Sequence, residues 1–195
     1  MEAALQLAKI KAYVFSCFTD DPTGHDYYHM ERVARMARMI ANKEGAEPFI
    51  CEAAAWLHDI GDEKLFHDSI KSLNEMDAFL HSIDFTKSDI KEIRQIMRNV
   101  SFRKGRIPTT MEGKVVQDAD RLDAIGAIGI ARTFAYGGAK GQPIFHETSK
   151  HTSIQHFYDK LLKLKGLLHT ETAQEIANER HQFMERYLEQ FYNEW

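Results

Sequence analysis

Apolar residues recur at helical spacing along almost the whole of this 195-residue chain, and no stretch alternates apolar and polar residues long enough to make a strand. Leu5, Ala8, Ala12 and Phe15 mark a helix within residues 2–18. Met30, Val33, Ala34, Ala37, Ile40 and Ala41 keep the i, i+3, i+4, i+7 pattern over about 29–43, and Gly45 ends that run. Pro48 opens the next helix where its missing N–H costs nothing, and that helix continues through "FICEAAAWLHDI" to Gly61. Further helices are expected over about 69–83, 88–100 and 112–135, with Gly126 and Gly129 interrupting the last. Two long amphipathic helices, about 152–166 and 170–193, complete the pattern. "FTDDPTG" at 18–24 and the Gly-rich "YGGAKGQPIFHETS" at 136–149 are loops by composition. No repeat or interdomain linker is visible, so the chain reads as one all-α domain over residues 1–195, long enough for a sizeable core.

The net charge of −4 argues against a nucleic-acid polymer or an anionic membrane as the main partner, since both favour basic stripes. No window holds about 20 consecutive apolar residues, and Glu2, Lys9 and Lys11 break what would be the core of a signal peptide. Cys17 and Cys51 are too few for a disulfide framework and suit a reducing, cytoplasmic compartment, with buried apolar roles as the plain reading.

Three stretches carry candidate chemistry. In "AAAWLHDIGDEK", residues 53–64, His58 shares a helix face with Cys51, Ala54 and Ala55, so a histidine lies on a small, apolar face. Asp59 follows at once. A carboxylate buried beside an imidazole is costly unless a cation compensates, the plainer reading being a hydrogen-bonded His–Asp pair closing the helix. In "GHDYYHMERV", residues 24–33, His29 shares the core face with Val33, Met36 and Ile40, whereas His25 precedes the helix and lies at the rim with Asp26. An HxxxH pair chelates when both residues are helical, so this stretch is a weak metal site by itself. In "KVVQDADRLDAIGAIG", residues 114–129, Asp118, Asp120 and Asp123 punctuate an apolar helix, and periodicity does not say which would be a ligand. Nitrogen and carboxylate donors of this kind suit Mn, Fe, Co, Ni, Zn or Mg.

The order H … HD … D on an all-α chain resembles the HD-domain metal-dependent phosphohydrolase superfamily. "DADRLDAIG" is similar to the family's final motif, whose second Asp of D-x-D is the ligand. The resemblance spans residues 25 to about 135, and the whole chain, including "RTFAYGG" and the C-terminal helix pair at about 152–193, is similar to a subfamily of small bacterial HD hydrolases. It implies an HD-type helical bundle and one divalent ion (Mn, Co, Ni, Fe, Zn or Mg). The implied ligands are His29, His58, Asp59 and Asp120, with Asp118 and Asp123 as supporting candidates. Some subfamily members cleave nucleoside triphosphates to monophosphate and pyrophosphate, and that is the reaction the resemblance implies. Asp62 and Glu63 stand where several members carry acids and are the candidates to orient water or relay its proton, although acids just past a helix end are commonly only solvated.

A phosphorylated small-molecule substrate, most simply a nucleotide, needs cations. Arg32, Lys64, Arg121 and Arg103 of the basic loop "SFRKGR" are the candidates, with His25 and Tyr28 as rim contacts. The 136–149 loop is a candidate lid. Competing readings are a nucleotidase or phosphodiesterase on another phosphorylated compound, a di-iron oxygenase, for which His67 and His81 are available but lack the expected spacing, and a non-catalytic signalling module. Met- and Phe-rich terminal helices leave room for a homodimer interface.

Overall fold

The structure, a computed structural model, describes residues 2–18, 25–100 and 105–195. Its described residues form helices and no strand. Seven helices come first: α1 (Ala3–Cys17), α2 (Tyr27–Glu44), α3 (Pro48–Leu57), α4 (Ser69–Ser82), α5 (Lys87–Val100), α6 (Met111–Asp123) and α7 (Gly126–Ala139). A short broken segment follows: α8 (Ser153–His156), a π-helical turn (Phe157–Leu161), α9 (Leu162–Leu164) and a 3₁₀ turn (Lys165–Leu167). The last helix is α10 (Glu171–Glu194).

α2 is the hub, packed against α3 and α6, while α5 supports α6 and α10 runs along α7. Burial follows the apolar stripe read from the sequence. Met30, Val33, Ala34, Ala37, Ile40 and Ala41 of α2 are all fully buried against Ala53, Ala54 and Leu57 of α3 and Val115, Ala119 and Leu122 of α6. The run of alanines lets α2 and α3 approach closely, because small side chains leave little between two helix surfaces. Side-chain caps fix where the helices begin. Asp26 accepts from the His29 N–H at 2.8 Å, Thr110 from Gly113 at 3.1 Å and Asp68 from Lys71 at 2.9 Å.

Two sequence expectations are corrected and one is sharpened. The helix expected over 112–135, interrupted at Gly126 and Gly129, is two helices that divide at Gly126. Gly126 has a left-handed φ of +78°, and a Cβ there would approach Arg180 Cγ to 2.9 Å, so glycine both permits the break and makes room for α10. The glycine-rich 136–149 loop begins later than expected, because α7 continues through Gly137 and Gly138 to Ala139. The helix expected over 152–166 is interrupted by the π-helical turn, which inserts an extra residue and re-aims the side chains beside it. Among the described residues no helix is long and apolar enough to cross a membrane.

Candidate metal centre and its cavity

Three elements converge at the C-terminal end of α3. The first turn of α2 delivers His29, the turn closing α3 delivers His58 and Asp59, and the middle of α6 delivers Asp120. His29 Nε2 lies 3.8 Å from Asp59 Oδ2 and 3.6 Å from Asp120 Oδ1. His58 Nε2 lies 3.4 Å from Asp59 Oδ1 and 3.7 Å from Asp120 Oδ1. All four separations exceed a good hydrogen bond. Both Nε2 atoms are buried, and neither has a hydrogen-bond partner among the described residues.

The opposite ring nitrogens are tied down. His29 Nδ1 lies 2.8 Å from Asp123 Oδ2, and His58 Nδ1 lies 2.8 Å from the Ala55 carbonyl. A carboxylate and a carbonyl can only accept, so each ring donates Nδ1–H and turns its Nε2 lone pair towards the carboxylates. Two buried imidazole lone pairs facing two carboxylates would be an expensive arrangement on its own. It is the donor set and the orientation that a divalent ion requires, with the supporting hydrogen bonds of a metal-bound histidine. The residues fit the ion.

The electrostatics favour the neutral imidazole at His29 and mark a strongly negative surrounding at His58. Burial holds the His29 pKa down, and Arg132 pushes the same way against the hydrogen bond to Asp123, which favours the neutral ligand form. Burial works in the same sense on His58, but the carboxylates of Asp59 and Asp120 outweigh it and raise its pKa. Burial would raise Asp59, yet His58, His25 and His29 around it hold its carboxyl well below the usual range. Asp123 is also held well below that range, by hydrogen bonds from His29 and Arg32 and by Arg132.

The three aspartates of α6 therefore have three surroundings. Asp120 faces the two free imidazole nitrogens. Asp123 orients His29 and is clamped by Arg32 Nε at 2.6 Å, Arg32 Nη2 at 3.0 Å and Arg132 Nη1 at 2.6 Å. Asp118 points to the start of α10, accepting from the His169 N–H at 3.0 Å and from the Thr170 N–H and hydroxyl, each at 2.8 Å. Asp118 thus anchors the start of α10 and belongs to neither donor grouping.

A cavity of about 900 Å³ opens over His58, Asp59 and Asp120. His25, Asp62, Lys64 and Arg121, all expected at the site, line it. His25 Nδ1 reaches Asp59 Oδ2 at 2.9 Å, so it touches a candidate ligand directly, and His25, His29 and Asp59 form a second grouping of donor atoms. Asp62 lines the cavity with Oδ1 accepting from the Lys64 N–H at 2.9 Å.

Other expectations do not hold in this geometry. Glu63 is exposed and is not among the lining residues, because the turn after Gly61 sends it outward. Tyr28 is 62 % exposed and also off the lining, its ring stacked edge-on against Tyr27. Arg32 commits its guanidinium to Asp123 instead of a phosphate. Arg121 divides its role: it lines the cavity, while its Nη1 donates to the Leu167 carbonyl and meets His169. Arg103 lies outside the described residues. His67 and His81 are exposed and belong to neither donor grouping among the described residues.

Sequence reasoning missed the cations that come from elsewhere in the chain. Arg94 and Arg98 of α5, Arg132 and Lys140 of α7, and Lys160 of the π-helical turn all line the cavity.

The family model described as HD domain matches residues 26–125. YpgQ of Bacillus subtilis is 42% identical over 194 residues, covering 97% of this chain and 94% of that protein. A crystal structure of B. subtilis YpgQ in complex with ADP superposes with a TM-score of 0.88 at 40% identity, covering 100% of this chain and 97% of the other. A Bacillus thuringiensis protein described as an HD-superfamily hydrolase has a TM-score of 0.84 at 40% identity, covering 100% of this chain and 98% of that one. With its H … HD … D residues gathered round one point, and with these similarities, the chain belongs to the HD domain family.

Proposed function

We propose that this protein is a metal-dependent phosphohydrolase that cleaves nucleoside triphosphates to monophosphate and pyrophosphate. The observation that carries the reading is the pair of buried, unpartnered Nε2 atoms facing two carboxylates at the base of a cation-lined cavity, in a chain of net charge −4. Cations concentrated in one cleft of an acidic protein select an anionic substrate. Two similarities support the choice: related structures are described as HD-superfamily hydrolases, and the YpgQ structure is described as a complex with ADP.

His29, His58, Asp59 and Asp120 would hold the ion, which when bound would lower the pKa of water and polarise a phosphoryl oxygen. Asp62, at the cavity wall one turn past Asp59, is the group placed to accept a proton from the attacking water. Asp123 keeps His29 in register, and the two arginines on Asp123 keep that carboxylate ionised. The apolar part of the wall, Leu65, Leu73, Met97 and Val100, offers a surface on which a base can rest. The water oxygen bonds to the α-phosphorus, the bond to the α–β bridging oxygen breaks, and its electron pair leaves on pyrophosphate. One proton of the water passes to Asp62 and from there to solvent, and the other leaves the new monophosphate oxygen to solvent.

The test is a panel of nucleoside triphosphates, diphosphates and monophosphates with Mn²⁺, Co²⁺ and Mg²⁺, products read by phosphorus NMR. Metal-dependent release of monophosphate and pyrophosphate is expected. Absence of turnover with the ion shown to be bound contradicts the proposal, and release of orthophosphate from monophosphates or cleavage of another phosphorylated compound would replace it with a nucleotidase or phosphodiesterase.

A further inference from the structure

Gln117 is fully buried on α6, one turn before Asp120, and its amide meets three other parts of the chain. Its Nε2 donates to the Asn99 carbonyl at 2.5 Å and to the Arg106 carbonyl at 2.9 Å. Its Oε1 lies 2.6 Å from His169 Nε2. Carbonyls can only accept, so both amide hydrogens are taken up by Asn99 and Arg106. Oε1 is left to accept from His169, which therefore carries its hydrogen on Nε2. A buried amide is costly unless its polar atoms are partnered, and here every one of them is.

The partners matter for the cavity. Asn99 is the penultimate residue of α5, where a helix leaves its last carbonyls without donors from its own backbone. Its neighbours Arg98 and Val100 line the cavity, as does Met97. On α6, Asp120 and Arg121 follow Gln117 by three and four residues, so they share its side of the helix, and both line the cavity. The Gln117 amide thus links the wall that α5 presents to the carboxylate expected to hold the ion. Asp118, the next residue, ties α6 to the start of α10 instead.

We propose that Gln117 is a positioning residue for nucleotide binding: it fixes the last turn of α5, with Arg98, against Asp120, and touches neither substrate nor ion. This rests on the nucleotide reading above. A terminal turn short of hydrogen bonds frays, and a wall that must be ordered at the moment of binding lowers affinity. The two bonds from Gln117 put that ordering in place beforehand.

The test is calorimetric titration of the Mn²⁺-loaded chain with ADP, alongside triphosphate kinetics. Gln117→Met keeps the length and removes both donors. It should weaken ADP binding about tenfold, the scale of one charged hydrogen bond, and raise KM by a similar factor, with kcat within about twofold and metal content unchanged. Asp118→Ala, which loosens α10 and not α5, should leave ADP affinity at the parent's value. Unchanged ADP affinity in Gln117→Met, an equal loss in Asp118→Ala, or a loss that follows metal content overturns the proposal. In the unaltered protein, reciprocity requires bound ADP to hold this link closed, so the side-chain amide hydrogens of Gln117 should exchange about tenfold more slowly with ADP present, read by NMR. Equal exchange overturns it too, whatever the variant's stability. A parent chain that binds no ADP would sink the nucleotide reading and this role together. ADP binding without triphosphate cleavage would sink the proposed reaction alone.

Discussion

The two halves of the cavity are built differently. The side made by α2, α3 and α6 is a tight ring of acids and imidazoles, in which three of the four ligand candidates are held by a second group: His29 by Asp123, His58 by the Ala55 carbonyl, Asp59 by His25. The side made by α7 and the π-helical turn carries Arg132, Lys140 and Lys160. Anionic donors that are preorganised suit an ion, and cations spread along a wall suit an extended anion. On the function proposed above, the ring would set which chemistry is possible, while the wall would set which substrate receives it.

The sharpest way to break this division is to remove a ring residue. His58→Ala should abolish metal-dependent turnover, a fall of at least ~100-fold, since even outer supports of metal ligands cost that much. Steady-state kinetics at saturating Mn²⁺ checks it, and retained activity would remove the ring from the chemistry. Asp123→Asn tests the support itself. It keeps the shape but weakens the hold on His29 and leaves Arg32 and Arg132 facing a neutral amide, so metal affinity should fall by about 10–100-fold, measured by chelator competition. Asp62→Asn should lower kcat by about 100-fold, with metal content unchanged, whereas Glu63→Gln should leave kcat close to that of the parent because its side chain points to solvent.

Asp118→Ala gives the opposite signature. It strips the acceptor from two backbone N–H groups and a hydroxyl at the start of α10, so urea unfolding should show a loss of about 2–3 kcal/mol with metal affinity intact. Gly126→Ala should cost a smaller ~1–2 kcal/mol, from the left-handed φ and the approach to Arg180.

The two histidines of the ring stood out in the sequence because periodicity carries them, whereas Asp120 was singled out only by the resemblance to the HD family's final motif. His29 and His58 fall on apolar helix faces, and a histidine on such a face is conspicuous. The division of labour among Asp118, Asp120 and Asp123 was not legible, since all three fit the period; their surroundings are set by α10 and α7, which arrive from far along the chain. For the same reason Arg132 and Lys160 left no local pattern, and Arg32, three residues from His29, suggested a phosphate contact that Asp123 in fact occupies. The break at Gly126 was visible as a glycine, but its consequence, turning Arg132 back onto Asp123, depends on a backbone angle that composition does not encode.

The most direct measurement is the metal content of the purified chain, by elemental analysis after loading, for the parent, Asp120→Asn and Asp118→Asn. One divalent ion per chain in the parent and in Asp118→Asn, with loss in Asp120→Asn, is the predicted result. Equal metal content in all three, or loss in Asp118→Asn with retention in Asp120→Asn, would contradict the assignment of the centre to His29, His58, Asp59 and Asp120.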